Sequence, residues 1–140
     1  PYDLAKYRQI PFVTDRDPEY FKASFPVFSN PVYQIEDSQR ALYHALCVVS
    51  GNFTNMLWKT VMTDFQNRLG LPPELLLPYM EQTFANLKKD PMNSLTGPIA
   101  RKDLSTIQTN LTALAGSPLQ DVYLAFLKVA GLPAPSPKQD

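Results

Sequence analysis

The sequence predicts a mainly α-helical chain, a helical bundle preceded by a short strand–helix–strand fragment. Three observations carry that expectation. From Asp37 onward, apolar residues recur at steps of three and four, the period of an amphipathic helix. Prolines and glycines punctuate those runs: Pro18, Pro72, Pro73 and Pro118 stand where helices would start, and Gly70, Gly116 and Gly131 where they would stop. Short β-branched and aromatic runs, the signature of strands, precede Asp37.

Taken in order, Gln9 to Thr14 reads as a first strand, Asp17-Pro18-Glu19 opens a helix to about Phe28, and Val32 to Ile35 reads as a second strand. Two short strands flanking one helix cannot bury their faces alone, so the fragment expects a sheet from elsewhere. A long helix follows from Ser38 to Leu69, with Gly70 as its stop. Around His44 it is apolar on most sides, which places it in the middle of a bundle. The next helix runs from Pro73 to Lys89, with a kink expected at Pro78 and with Lys88 and Lys89 set against its C-terminal dipole. The segment Thr96–Asp103 leads into a helix ending at Ala115, and a last helix runs from Pro118 to Ala130. The organisation expected is therefore a strand–helix–strand remnant over 1–36, a helical domain over 37–131, and a disordered proline-rich tail over 132–140.

Composition narrows the function. At 140 residues with 44% apolar and 19% charged residues, the chain has the make-up of one globular domain. Thirteen basic residues balance thirteen acidic ones, so no net field recommends nucleic acid or an anionic membrane as a partner. No apolar run reaches spanning length, and residues 1–20 lack the basic and apolar regions of a signal peptide. Cys47, the single cysteine, cannot form an internal disulfide, which fits a cytoplasmic protein. A chain that opens on Pro1 is expected to be a piece of a longer one. The sequons at Asn52 and Asn110 fall inside expected helices and read as chance. The five glycines form neither a G-x-G-x-x-G nor a P-loop, and one histidine with one cysteine cannot supply a usual zinc site, so no cofactor-binding or metal residues are assigned.

Two places carry chemistry. Arg40, His44, Cys47, Gly51 and Asn55 follow one another at steps of three or four and so form one stripe of the long helix, with Asn52 on its flank. Polar groups on a buried helix need partners, whether neighbouring helices or a ligand. His44 is thus either a hydrogen-bonded core histidine or a ligand contact, and Asn52 and Asn55 either bond between helices or face a substrate. Gly51 costs about 1 kcal/mol relative to alanine in a helix interior and suggests close approach of another helix or a ligand. The second place is Ser94–Asp103, where a hydroxyl, a guanidinium, a carboxylate and the backbone N–H groups of a helix start suit an anionic or polar ligand.

Two motifs resemble one family. Tyr43-His44-Ala45-Leu46-Cys47-Val48-Val49-Ser50-Gly51-Asn52 is similar to a Tyr-His-Ala-Ala-Ala…Ser-Asn helix, and Leu95-Thr96-Gly97-Pro98-Ile99-Ala100-Arg101-Lys102-Asp103, with Thr106, resembles Leu-Thr-Gly-Pro-Ile-Ala-Arg-Gly-Asp…Thr. Both mark the helical C-terminal domain, a domain of unknown function (family 2520), of Rossmann-like oxidoreductases related to 6-phosphogluconate dehydrogenase and pyrroline-5-carboxylate reductase. The resemblance spans about Ile10 to Ala130. It implies a 6-phosphogluconate-dehydrogenase C-terminal-like bundle that builds a homodimer and walls a substrate cleft. NAD or NADP would be held mainly by an N-terminal domain outside this chain, with none on the fragment itself. Carried over by residue, His44 and Asn52 would be catalytic, while Arg40, Asn55, Thr96, Gly97, Arg101 and Asp103 would bind a small polar or anionic substrate. Gly51 stands where the family has serine, Lys102 where it has glycine, and Asn110 where histidine is frequent. Those departures fit the alternative, a non-catalytic dimerisation or binding module of the same fold; a free-standing bundle without a Rossmann partner is a third reading.

Overall fold

A computed structural model describes residues 3–134 of the chain. It divides at Thr54/Asn55 into two compact units. The first opens with α1 (Leu4–Tyr7), a single turn absent from the sequence reading and capped by Asp3, whose Oδ1 accepts the Ala5 N–H at 3.0 Å. The expected strand–helix–strand follows as β1 (Phe12–Thr14), α2 (Pro18–Ser24) and β2 (Val32–Gln34). The strands pair in parallel, with Phe12 opposite Val32, Val13 opposite Tyr33 and Thr14 opposite Gln34. A parallel pair requires a crossover, and α2 supplies it.

Local chemistry fixes these elements. Asp17 Oδ1 accepts the Glu19 N–H at 2.8 Å and Pro18 occupies the first turn, a strong start signal for α2. The helix stops at Ser24, short of the Phe28 expected. Beyond it the chain folds back so that Phe21 and Phe28 both lie against Phe12, at ring separations of 5.1 and 5.3 Å. Side-chain packing thus outweighs helix propensity here. The Asn30 amide then donates to the carbonyls of Tyr7 (2.7 Å) and Ile10 (2.8 Å), tying β2 to α1.

A 3₁₀ turn at Asp37–Gln39 leads into α3 (Arg40–Val48), and a π segment at Val49–Phe53 leads on to α4 (Thr54–Leu69), which carries the chain from one unit into the other. The long helix is present, but with two corrections. The wide turn interrupts the α period on which a single polar stripe depends. The helix is also not buried: Leu42, Leu46, Val49 and Phe53 are 61, 59, 52 and 54% exposed. An all-round apolar helix requires covering surfaces, and the described residues leave these side chains open.

In the second unit α4 ends at Gly70, which takes φ +67°, a conformation that favours glycine. The expected kink at Pro78 is replaced by a fresh start. A 3₁₀ turn at Pro73–Leu76 is followed by α5 (Leu77–Lys89), with Pro78 in its first turn, where a missing N–H costs least. Then come α6 (Gly97–Arg101), α7 (Leu104–Ala113) and α8 (Leu119–Val129). The core lies where Ile107 and Leu111 of α7 meet Leu127 of α8, with Ile99, Tyr123 and Leu132 packed around them. Ile107 and Leu127 are 0 and 1% exposed. Leu132 is tied in further by its N–H, which donates to the Leu127 carbonyl at 2.9 Å. The remainder of the expected disordered tail, residues 135–140, lies outside the described residues.

Candidate functional site

The site residues expected from the sequence fall into two groups, one in each unit. In the first, Arg40 opens α3 with its Nη1 3.1 Å from Asp15 Oδ2 and 3.1 Å from Asp37 Oδ1. Its guanidinium bridges the end of β1 and the 3₁₀ turn, so its charge is already matched. Asp15 was not singled out in the sequence, since nothing local signals a partner 25 residues away. His44 lies one turn further on. It is exposed, and its side chain makes no hydrogen bond or ion pair with another described residue, so it is not a satisfied core histidine. The Cys47 thiol, one helical turn on, raises the Tyr43 phenol above its ordinary pKa, with desolvation adding to the effect. Asn52 lies in the π segment with an exposed side chain.

Gly51 sits at the centre of that wide turn. A Cβ built on it would meet nothing within 4 Å, so no other element of the described chain forces glycine there. The close helix approach expected at this position is absent.

In the second unit Asn55 stands at one end of an open groove of about 460 Å³ along α4, with Trp58, Lys59, Met62, Gln66 and Glu74. The loop motif folds into α6. Thr96 takes the N-cap position in an extended conformation without a side-chain cap bond, and Gly97 adopts φ +83°. Ile99 turns inward onto the α7–α8 core, whereas Arg101 is exposed. Asp103 caps α7: its Oδ1 accepts the Thr106 N–H at 3.0 Å and its Oδ2 accepts the Thr106 hydroxyl at 2.7 Å. These bonds, the backbone one first, hold the Asp103 carboxyl below its ordinary pKa, with Arg101 adding a smaller electrostatic pull. Both carboxylate oxygens are thereby engaged, which makes this side chain a helix cap before anything else.

Beside the motif lies a feature the sequence did not disclose, an apolar groove of about 680 Å³. Leu57 and Val61 of α4, Leu95 and Ile99 of the motif, and Tyr123 and Phe126 of α8 are among its walls. Among the described residues no group of three or more His, Cys, Asp or Glu is placed to hold a metal ion, and no helix is long and apolar enough to cross a membrane.

Residues 14–128 match the model of a family described as a domain of unknown function, DUF2520. The chain belongs to the DUF2520 family. It is similar to the crystal structure of a Bacteroides fragilis protein provisionally named an NADP oxidoreductase, at 28% identity and a TM-score of 0.69 over 89% of this chain. The chain spans 50% of the length of that protein. No curated protein matches it. The helical architecture with its short parallel sheet is therefore that of an oxidoreductase-related structure, as the two motifs implied.

Three positions differ from the motifs that the sequence resembles. Lys102, in place of glycine, is the one non-glycine among the described residues with positive φ, at 55°. Asn110, in place of histidine, donates from its amide to the Tyr123 hydroxyl at 3.3 Å and so links α7 to α8. Gly51, in place of serine, leaves open space and exposed polar neighbours.

Proposed function

We propose that this chain is the C-terminal domain of an NADP-dependent oxidoreductase, one that walls the substrate cleft and builds a homodimer. The observation that carries the reading is the match of nearly the whole chain to half of a larger protein named for NADP oxidoreduction. The parallel pair β1–β2 supports it, because two three-residue strands are a sheet fragment that further strands would complete.

The dinucleotide would exchange a hydride with the substrate. This chain has no glycine-rich phosphate cradle, so the cofactor is held by another part of the parent protein. The chain's own residues bind and orient the substrate. His44, exposed and without a side-chain partner, moves a proton to or from the substrate, and the Asn52 amide hydrogen-bonds it. Arg101, with Thr96 and Gly97, holds an anionic group, while Asn55 adds a polar contact. Arg40 and Asp103 serve through position: one braces the start of α3, the other the start of α7.

The test uses the parent protein. It is expected to bind NADPH, and His44→Ala and Arg101→Ala are expected to lower turnover or substrate affinity without loss of helicity. A parent that fails to bind NADPH, or variants with unchanged turnover and affinity, would sink the assignment. A non-catalytic dimerisation module is the second reading. It is favoured by the engaged charges of Arg40 and Asp103 and by the missing side chain at Gly51. A folded, dimeric parent without NADPH affinity would establish it.

A further inference from the structure

The groove of about 460 Å³ along α4 holds two opposite charges that do not pair with each other. Lys59, Met62 and Gln66 follow at steps of three and four, with Trp58 four residues before Met62, so all share one face of the helix. The 3₁₀ turn Pro73–Leu76 adds Pro73 and Glu74 to the lining. Gly70 in its left-handed conformation and the adjacent Pro72 and Pro73 stiffen the approach to that turn, so the groove is formed without a ligand. Trp58 and Met62 are half-buried, whereas Lys59, Gln66 and Glu74 are exposed. Among the described residues, Lys59 and Glu74 belong to no ion pair, and the side-chain N–H groups of Trp58 and Gln66 have no acceptor. We propose that this groove binds a small zwitterion with separated charges, an ω-amino carboxylate. Its carboxylate lies against the Lys59 ammonium, its ammonium against the Glu74 carboxylate, and its methylene chain along Trp58 and Met62.

Charge, floor and shape each favour this ligand class. A molecule that carries both signs satisfies Lys59 and Glu74 together, whereas a plain anion meets Glu74 as a like charge and a plain cation meets Lys59 as one. Between charged groups, an indole and a thioether offer an apolar surface to methylenes, and the indole face also attracts an ammonium. That face is not already taken: the described residues place a cation over a ring at Lys88 and Phe84, but none over Trp58. The groove follows α4 from Asn55 to Gln66, eleven residues and thus about 16 Å of helix, which suits an extended chain better than a compact zwitterion. Its volume lies within the range of about 300–1,000 Å³ that small-molecule sites occupy.

Asn55, assigned to the substrate above, stands at one end of the same groove. Within the oxidoreductase reading the zwitterion is therefore the class to which the substrate belongs. That link rests on the reading, whereas binding in the groove does not.

Trp58 is the single tryptophan of the chain, so tryptophan fluorescence reports on this groove alone. The probe is 6-aminohexanoate, titrated into the purified chain, with hexanoate and hexylammonium as single-charge controls at equal ionic strength. The emission is expected to change with a dissociation constant of about 1 mM, as suits so small a ligand in an open groove. Each control should bind about tenfold more weakly, the loss of one charge-assisted hydrogen bond. Glu74→Gln should weaken 6-aminohexanoate about tenfold without weakening hexanoate, and Lys59→Met should weaken it about tenfold without weakening hexylammonium. Both positions are exposed, so far-ultraviolet circular dichroism should not change. The three-compound series on the wild-type chain decides the matter should a variant lose helicity. An emission that ignores 6-aminohexanoate, or responds equally to all three compounds, overturns the proposal, and so does wild-type affinity in either folded variant. No dinucleotide takes part, and NADPH binding is measured on the parent, so the groove and the oxidoreductase reading can fail separately.

Discussion

At the scale of single residues, Lys102 and Asp103 show what the loop motif does structurally. Lys102 ends α6 at φ 55°, and its N–H donates to the Ile99 carbonyl at 3.2 Å. A side chain in that left-handed conformation is strained relative to glycine. Lys102→Gly should therefore raise stability by about 1 kcal/mol, read from the urea midpoint. The neighbouring Asp103 carries the α7 cap, and its pKa is lowered in the folded state. A carboxylate held below its unfolded pKa contributes stability that is complete above the unfolded value and lost as pH falls through the folded one. Asp103→Asn should accordingly lower Tm at neutral pH, and the gap from wild type should close as the solution is acidified below the ordinary carboxylate range. A gap independent of pH would show that the charge of Asp103 does not support the cap.

At the scale of elements, the second unit is fastened by one polar cluster. Arg68 Nη2 donates to the Ala113 carbonyl at 2.8 Å, and Asp64 Oδ2 accepts both the Ser117 hydroxyl at 2.7 Å and Arg68 Nη1 at 3.4 Å. This joins α4 to the turn between α7 and α8. Asp64→Ala removes two of the bonds and leaves Ser117 without its acceptor, a loss of about 1–2 kcal/mol on thermal unfolding. The major helices were legible because proline starts, glycine stops and apolar period agreed, as at Pro118–Gly131, or because period and glycine stop agreed, as at Ser38–Gly70. What was not legible depended on contacts or on small backbone adjustments. The stop of α2 comes from Phe25 and Phe28 folding back, the wide turn at Val49–Phe53 has no distinct residue pattern, and Pro78 reads equally as a kink or as a first turn. For the candidate site, the motifs pointed to His44, Asn52 and Arg101, all exposed, yet nothing in them announced that Arg40 would be held by Asp15 or that Asp103 would spend both oxygens on Thr106.

At the scale of the whole molecule, little apolar surface is fully buried. Among the described residues the buried apolar side chains are Met80, Ile107, Leu111, Leu119 and Leu127, whereas many large ones are exposed. So small a core makes each member count. Ile107→Ala should cost about 2–5 kcal/mol, because its 0% exposed side chain leaves a cavity beneath α6 and α8. Calorimetry would show a large drop in Tm, and a drop no greater than that of Asp64→Ala would mean that the core can collapse around the gap. The composition alone, 44% apolar, suggested a well-filled interior. It could not show how that apolar content would be shared between interior and contact surface.

The three-residue parallel pair has a consequence for how the protein is made. Backbone groups on the outer sides of β1 and β2 are ready templates for any extended chain that reaches them. In the parent protein proposed above, further strands would flank this pair, so the open edges belong to the chain when it stands by itself. Soluble yield of the chain by itself should therefore depend on these six strand residues more than the yield of the parent does.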